Sequence, residues 1–426
     1  MTDLSWLDAA VTGARPQAMA ALLRYFRDLD RAEEAFQEAS LKALKSWPQN
    51  GPPRDPAAWL IMVGRNVALD AIRRERKSEA LPENEAALSD LDDAESALVD
   101  RLDDAHYRDD ILRLLFTCCH PDLPSTQQIA LALRVVSGLT VGEIAKAFLV
   151  GESAMEQRIT RAKRRVAEAG VAFETPGPVE RSQRLGTVMA MIYLLFNEGY
   201  SASGGEVQVR KPLCEEAIRL SRLLLRLFPS EPEMLGFTAL LLLQHARSEA
   251  RVDGNGAIVL LEDQDRKRWD HGMIAEGEAL IDKAMRHRRP GPYQVQAAIA
   301  ALHCTADHYE NTDWPQIDAL YSTLEQLQPS PVVTLNRAVA VSKVQGAEAA
   351  LAMIEPLSGK LGGYFHFFGL KGALLSQLGR GAEAREAYDR AIALARTTQE
   401  AAHIRMHLDR LLQDSSSSGS GLRTSP

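Results

Sequence analysis

The stretch Gly138-Leu-Thr-Val-Gly-Glu-Ile-Ala-Lys-Ala-Phe148, followed by Leu149-Val-Gly-Glu152 and then Ser153-Ala-Met-Glu-Gln-Arg-Ile-Thr-Arg-Ala-Lys-Arg-Arg-Val166, decides the fold. Thr140 with Glu143 three residues on makes a capping box, in which the hydroxyl takes a first-turn amide and the carboxylate returns to the cap amide. Ser153 with Glu156 repeats the pattern. Two capped helices separated by about four residues have the spacing of a helix-turn-helix, and small Ala145 permits close approach. In the second helix Met155, Ile159, Ala162 and Val166 fall on one stripe and are expected inside. Ala154, Gln157, Arg158, Arg161 and Arg165 fall on the opposite stripe, flanked by Lys163 and Arg164. Arg and Gln carry donors that match base edges, and bases near helix ends grip phosphate, so this face suits a major groove. A lone basic helix is more often a solvated face; the capped partner helix ahead of it favours DNA contact.

Upstream, Asp30-Arg-Ala-Glu-Glu-Ala-Phe-Gln-Glu-Ala-Ser40 opens an amphipathic helix whose inward stripe is Ala32, Ala35, Phe36, Ala39 and Ala43, with Glu34, Gln37 and Glu38 outside it. Trp47-Pro48 and the Pro-rich stretch to Pro56 lead into a helix from Ala57 to about Lys77. Its apolar pairs recur every turn, from Leu60/Ile61 to Ala71/Ile72, while Asn66, Asp70, Arg73, Arg74 and Lys77 line the other side. A basic helix end of this kind suits backbone phosphate.

Bulk properties bound these readings. A chain of 426 residues is too long for one ordinary core. A net charge of -8 means that any nucleic-acid surface must be gathered locally. Four cysteines, scattered, do not make a disulfide framework. The first residues lack a signal-peptide core, and no apolar run approaches the roughly 20 residues of a span, so a cytoplasmic protein without membrane contact is expected. Period-2 alternation is nearly absent and apolar residues recur at three and four, so the fold class expected is all-α. The blocks are 1–78; an acidic linker, 79–110; 111–173; a break at Glu174-Thr-Pro-Gly-Pro178; a helical remainder, 180–412; and a flexible tail, 413–426.

The N-terminal residues resemble a known family. Ala32-Glu-Glu-Ala-Phe-Gln-Glu38, Trp47-Pro48, Pro56-Ala-Ala-Trp-Leu60, Arg65-Asn66 and Asp70-Ala-Ile-Arg-Arg74 look like region 2 of extracytoplasmic-function RNA polymerase sigma factors. Glu143-Ile-Ala145 and Gln157-Arg158, followed by Arg161-Ala162, look like their region 4. The resemblance covers about 170 residues and implies a region 2 helical bundle and a region 4 helix-turn-helix domain. It implies partners too: core RNA polymerase, through its β′ clamp and β subunits, and promoter DNA. Glu34, Phe36, Gln37 and Glu38 would meet the clamp; Asn66, Asp70, Arg73, Arg74 and Lys77 would act at the minus-ten element. Ser153, Gln157, Arg158, Arg161, Lys163, Arg164 and Arg165 would act at the minus-35 element. The polymerase makes the bonds, so neither a cofactor nor a catalytic residue is expected.

The C-terminal part carries spacings of 34 residues: Ala338 with Gly372, Ala350 with Ala384, and Ile354 with Tyr388; Tyr321 stands 33 before Ile354. Small residues at fixed places let paired helices approach, and the last copy looks like a tetratricopeptide repeat. Asp263, Asp265, Arg266, Trp269 and Asp270 crowd into eight residues, either as a contact patch for the sigma core or a regulatory protein, or as a plain loop before a helix. The runs Leu114 to Leu123, Asn197 to Ser201 and this acidic–basic patch resemble the sigma-factor subgroup with long C-terminal extensions. Cys118-Cys119-His120 has poor spacing for a tetrahedral metal and reads as packed thiols. A regulator with a tetratricopeptide sensor, acting outside the polymerase, would explain the helix-turn-helix and the repeats but not the first block. Gly-rich phosphate loops and nucleophile–base motifs, the marks of an enzyme, do not occur.

Overall fold

The computed structural model describes residues 5–76 (without 52), 104–169 (without 121 and 149), 178–200, 207–251, 253, 259–395 and 401–408 (without 403). Among these, the only regular structure is helical, and the chain forms two compact units, Met1–Leu195 and Phe196–Pro426. The division falls inside a helix, whereas the sequence reading placed the joint at 174–178, most of which lies outside the described residues.

In the first unit α1 (Ser5–Phe26), α2 (Leu29–Asn50) and α3 (Pro56–Arg76) pack pairwise into a three-helix bundle. Asp28 caps α2 by accepting the Arg31 amide at 3.0 Å, and Asp55 caps α3 by accepting the Ala57 and Ala58 amides at 2.9 and 3.0 Å. Ala32, Ala35, Phe36, Ala39 and Ala43 are buried as their period requires, and Trp47 meets Trp59 edge to face at 5.3 Å. The small stripe of α2 lets α3 come close. A Cβ on Gly64 would stand 2.8 Å from the Ala35 carbonyl oxygen.

The chain returns at α4 (Asp104–Cys118), so a helix begins within the segment read as linker. The rest of the acidic segment, 79–103, lies outside the described residues. α5 (Ser125–Ala132) widens into a π-turn at Leu133–Ser137, and α6 (Val141–Ala147) and α7 (Glu152–Glu168) complete the helix-turn-helix. Both α4 and the π-turn pack against α1, so the two N-terminal blocks form one body. Cys118 and Cys119 are fully buried in it, and burial pushes both thiols well above their ordinary pKa.

α8 (Pro178–Tyr200) leads to the second unit, which continues through α9 (Val207–Leu227), α10 (Pro232–His245), α11 (His271–Met285), α12 (Pro292–Thr305) and α13 (Trp314–Leu327). α14 (Pro331–Val344), α15 (Ala347–Ile354), α16 (Ser358–Leu361), α17 (Phe365–Gln377) and α18 (Gly381–Leu394) follow. α12 packs chiefly on α10, and from α13 on each longer helix packs chiefly on its neighbours in sequence. The 34-residue spacing marks equivalent places in successive pairs: Ala338, Ala350 and Ile354 of α14–α15, and Gly372, Ala384 and Tyr388 of α17–α18, are all buried. Gly372 is required by close approach, since a Cβ there would lie 2.6 Å from the Tyr388 ring.

Candidate nucleic-acid and polymerase interface

The helix-turn-helix is set first by its caps. The Thr140 hydroxyl accepts the Glu143 amide at 3.2 Å, and the Glu143 carboxylate accepts the Thr140 amide at 2.7 Å, completing the expected box. These hydrogen bonds from Thr140 hold the Glu143 carboxyl below its ordinary range. The second expected box does not form: α7 begins one residue earlier, at Glu152, with Gly151 at the cap and no side-chain hydrogen bond. Ser153 therefore stands inside the first turn, exposed.

The apolar stripe of α7, Met155, Ile159, Ala162 and Val166, is buried against α5 and α6. Gln157, Arg161, Arg164 and Arg165 are exposed and Arg158 is half-buried. Gln157 accepts from Arg161 at 3.1 Å, which aligns the two side chains along the outer face. Arg165 donates to the Asp122 carbonyl at 3.2 Å, and Arg164 pairs with Glu168 at 3.4 Å in water. Lys163 departs from the expected surface: it turns inward and pairs with Asp30 at 2.7 Å and with Glu33, both on α2.

On α2, Glu34, Gln37 and Glu38 are exposed on one face, which continues through Leu41 and Leu44, each about half exposed. Phe36 is not on that face. It is 2% exposed, with the Arg15 guanidinium 4.7 Å from its ring centroid, and can serve the surface only by holding the helix. Sequence periodicity had flagged Phe36 as inward, but it left Leu41 and Leu44 unmarked; their signal was the continuation of the 34–38 stripe by threes and fours. On α3, Asn66 is exposed. Asp70, Arg73 and Arg74 lie on the helix, but their side chains, and Lys77 altogether, fall outside the described residues.

Glu33 was also unmarked. It is 5% exposed and gathers three cations: Arg15 of α1 at 3.6 Å, Arg134 of the π-turn at 3.4 Å, and Lys163 of α7. Arg15 further donates to the carbonyls of Val135 at 3.0 Å and Arg134 at 3.1 Å. Burial lowers the Arg15 pKa to about 10, against the opposing pull of Glu33 and with Arg134 adding to the fall. For Lys163, burial alone would lower the pKa, but hydrogen bonds to Asp30 and Glu33 outweigh it and the net shift is upward.

In the second unit the acidic–basic patch buries its Trp269 and half-buries Arg266, and leaves its three acids exposed. Asp265 accepts the Lys267 amide at 3.0 Å and Asp270 caps α11 by accepting the Met273 amide at 2.9 Å. Arg266 donates to the carbonyls of His303 and Ala306 at 2.8 and 2.7 Å and lies 4.5 Å over Trp269, which is 4% exposed. Trp269 and Arg266 are thus held by their own unit, while Asp263, Asp265 and Asp270, with Lys267 and Arg268 between them, stand exposed.

Comparison with known families agrees with the geometry of the first unit. Sigma-70 region 2 matches residues 11–78 and Sigma-70, region 4 matches residues 113–166. A family of unknown function (DUF6596) matches residues 184–285. With both sigma-70 regions present, the chain is an RNA polymerase sigma factor, which binds the core enzyme and directs promoter recognition. An uncharacterized protein of Rhizobium meliloti (strain 1021) is 69% identical over 411 residues, covering 96% of this chain and 97% of its own, and the two belong to one family. No solved structure matches. The region 2 match removes the ground for a regulator that acts outside the polymerase. Among the described residues, no helix is long and apolar enough to cross a membrane.

Proposed function

We propose that the chain is a sigma factor of the extracytoplasmic-function type whose tetratricopeptide-like extension regulates it. In this reading the α2 face of Glu34, Gln37, Glu38, Leu41 and Leu44 docks on the β′ clamp of the polymerase. α3, with Asn66, Asp70, Arg73, Arg74 and Lys77, engages the minus-ten element, and α7 reads the minus-35 element through Gln157, Arg158 and Arg161, with Ser153, Arg164 and Arg165 toward phosphate. The observation that carries it is the two-sided α7: Met155, Ile159, Ala162 and Val166 are buried behind a capped partner helix while Gln157 and Arg161 stand exposed and aligned. Regulation through the extension is supported by its surface charges Asp263, Lys267 and Arg268 and by a cavity of about 320 Å³ walled by Tyr309, Trp314 and Tyr321, within the size range of small-ligand sites.

The test is promoter-directed transcription by the full chain with purified core polymerase. A base-reading Arg carries about 1–3 kcal/mol of discrimination, so Arg161→Ala should narrow the preference for the cognate minus-35 sequence by roughly 5- to 150-fold. An unchanged preference refutes the assignment of α7. Charge reversal at Asp263, Lys267 and Arg268 should alter output without altering promoter choice; unaltered output removes this surface from regulation.

A further inference from the structure

The cavity in the second unit is built mostly of aromatic rings. Tyr309 stands on the turn after α12, Trp314 and Tyr321 on α13, and Asn336 on α14; His303 of α12 and Glu262 complete the polar part of its lining. Trp314 meets His303 at 5.4 Å and Tyr309 at 5.6 Å, both edge to face. Rings packed only to fill a core would be sealed. Tyr309, Trp314 and Tyr321 are each half-buried and open on the same space, about 320 Å³, which is at the small end of ligand sites.

These rings already attract a cation. The Lys343 ammonium, near the end of α14, lies 5.3 Å from the Tyr309 ring centroid and 5.9 Å from that of Trp314. The face of an aromatic ring carries the negative part of its quadrupole, so an ammonium within about 6 Å is drawn to it. Lys343 is exposed, and among the described residues no carboxylate pairs with it. Its long stem lets the head swing away when another cation takes the rings.

The polar groups select the charge of the occupant. An anion would meet Glu262 in the lining, with Asp307 and Glu310 exposed on either side of Tyr309. Arg266 is directed at the carbonyls of His303 and Ala306. His303 adds no repelling charge at neutral pH: burial first, then Arg247 and Arg266, lower its pKa to about 4. A cation therefore finds ring faces and one carboxylate. Rings replace none of the hydrogen bonds that a ligand gives up with its water, a loss that a primary ammonium suffers more than a quaternary one.

We infer that this cavity is an aromatic cage for a small quaternary ammonium compound, with Tyr309, Trp314 and Tyr321 against the cation and Glu262 as its counter-charge. Lys343 is the resident cation that the ligand displaces. The site stands on the cavity itself; that filling it alters transcription rests on the regulatory reading of the extension.

Calorimetric titration of the full chain with choline tests the cage. Choline should bind with a Kd of about 1 mM or tighter, and both 3,3-dimethylbutan-1-ol, its uncharged carbon isostere, and ethanolamine, its primary ammonium counterpart, at least about tenfold more weakly. Tyr309→Leu should weaken choline binding by about 5- to 30-fold, whereas Tyr309→Phe, which keeps the ring face, should retain it. Lys343→Met should tighten choline binding by about 2- to 5-fold. That position is exposed, so its effect remains readable should Tyr309→Leu lose its helical circular dichroism. No binding at about 10 mM choline, equal affinity for choline and its carbon isostere, tighter binding of ethanolamine, or unchanged affinity in both Tyr309→Leu and Lys343→Met overturns the inference. Choline binding with unchanged promoter-directed output keeps the cage and removes regulation through it. Altered output on charge reversal at Asp263, Lys267 and Arg268, without choline binding, sinks the cage and leaves the regulatory reading.

Discussion

Replacement of Gly64 by Ala tests whether α2 and α3 are positioned by backbone contact. In a helix interior, Gly→Ala ordinarily stabilises by about 1 kcal/mol because Gly has more chain freedom to lose. At Gly64 the added Cβ would lie 2.8 Å from the Ala35 carbonyl oxygen, 3.2 Å from its carbonyl carbon and 3.4 Å from a Leu22 methyl. The two nearest atoms are backbone in the middle of α2, so relief requires the helices to separate. Overpacking of this kind costs about 1–3 kcal/mol, which offsets or exceeds the helix gain and leaves a net change between about zero and 2 kcal/mol of destabilisation. Gly13 of α1 is the control, because it is exposed and a Cβ there meets nothing within 4 Å. Gly13→Ala should stabilise by up to about 1 kcal/mol, so the two substitutions should differ by about 1–3 kcal/mol. Urea unfolding followed by circular dichroism reads the difference. On the roles proposed for α2 at the polymerase and α3 at the minus-ten element, Gly64→Ala should also weaken open-complex formation more than polymerase binding. Equal stabilisation by both substitutions would refute the packing argument.

Two further perturbations probe local chemistry. The capping box holds the Glu143 pKa below its unfolded value, so its contribution is complete above the ordinary carboxylate pKa and is lost as pH falls through the depressed folded value. Amide protection at the start of α6 should therefore drop on acidification, and Glu143→Gln should remove that pH dependence; a drop that persists in the variant assigns it to another group. In the second unit Trp269→Ala should cost about 3–5 kcal/mol because the ring is buried, whereas Asp263→Ala, on the surface, should stay within about 0.5 kcal/mol. Similar small losses for both, read by thermal unfolding, would return Trp269 to the surface.

Much of the fold was legible because it is local. The inward stripe of α2, the Thr140–Glu143 box and the buried row from Met155 to Val166 each repeat within one helix, where spacing in sequence is spacing in space. The 34-residue spacing was legible for the same reason, and Ala338, Ala350 and Ile354, like Gly372, Ala384 and Tyr388, are buried in their helix pairs. Caps were less certain: Ser153 and Glu156 satisfy the same pattern as Thr140 and Glu143, but the chain enters α7 at Gly151 and leaves no cap position for Ser153.

What no local pattern carries is the choice of partner for a charged side chain. Lys163 differs from Arg161 and Arg164 only by its angle around α7, and that angle points it at a carboxylate 130 residues earlier. Glu33 differs from Glu34 by one position, yet one is sealed beneath three cations and the other faces solvent. Trp269 and Arg266 read as a surface patch by composition, but the Trp269 ring is buried and Arg266 is held by carbonyls 37 and 40 residues away. Periodicity states which face of a helix is apolar, because burial follows from each residue's own chemistry. It does not state which distant element covers the polar edge of that face; tertiary packing decides this, since a buried charge is tolerated only where the rest of the chain supplies its opposite.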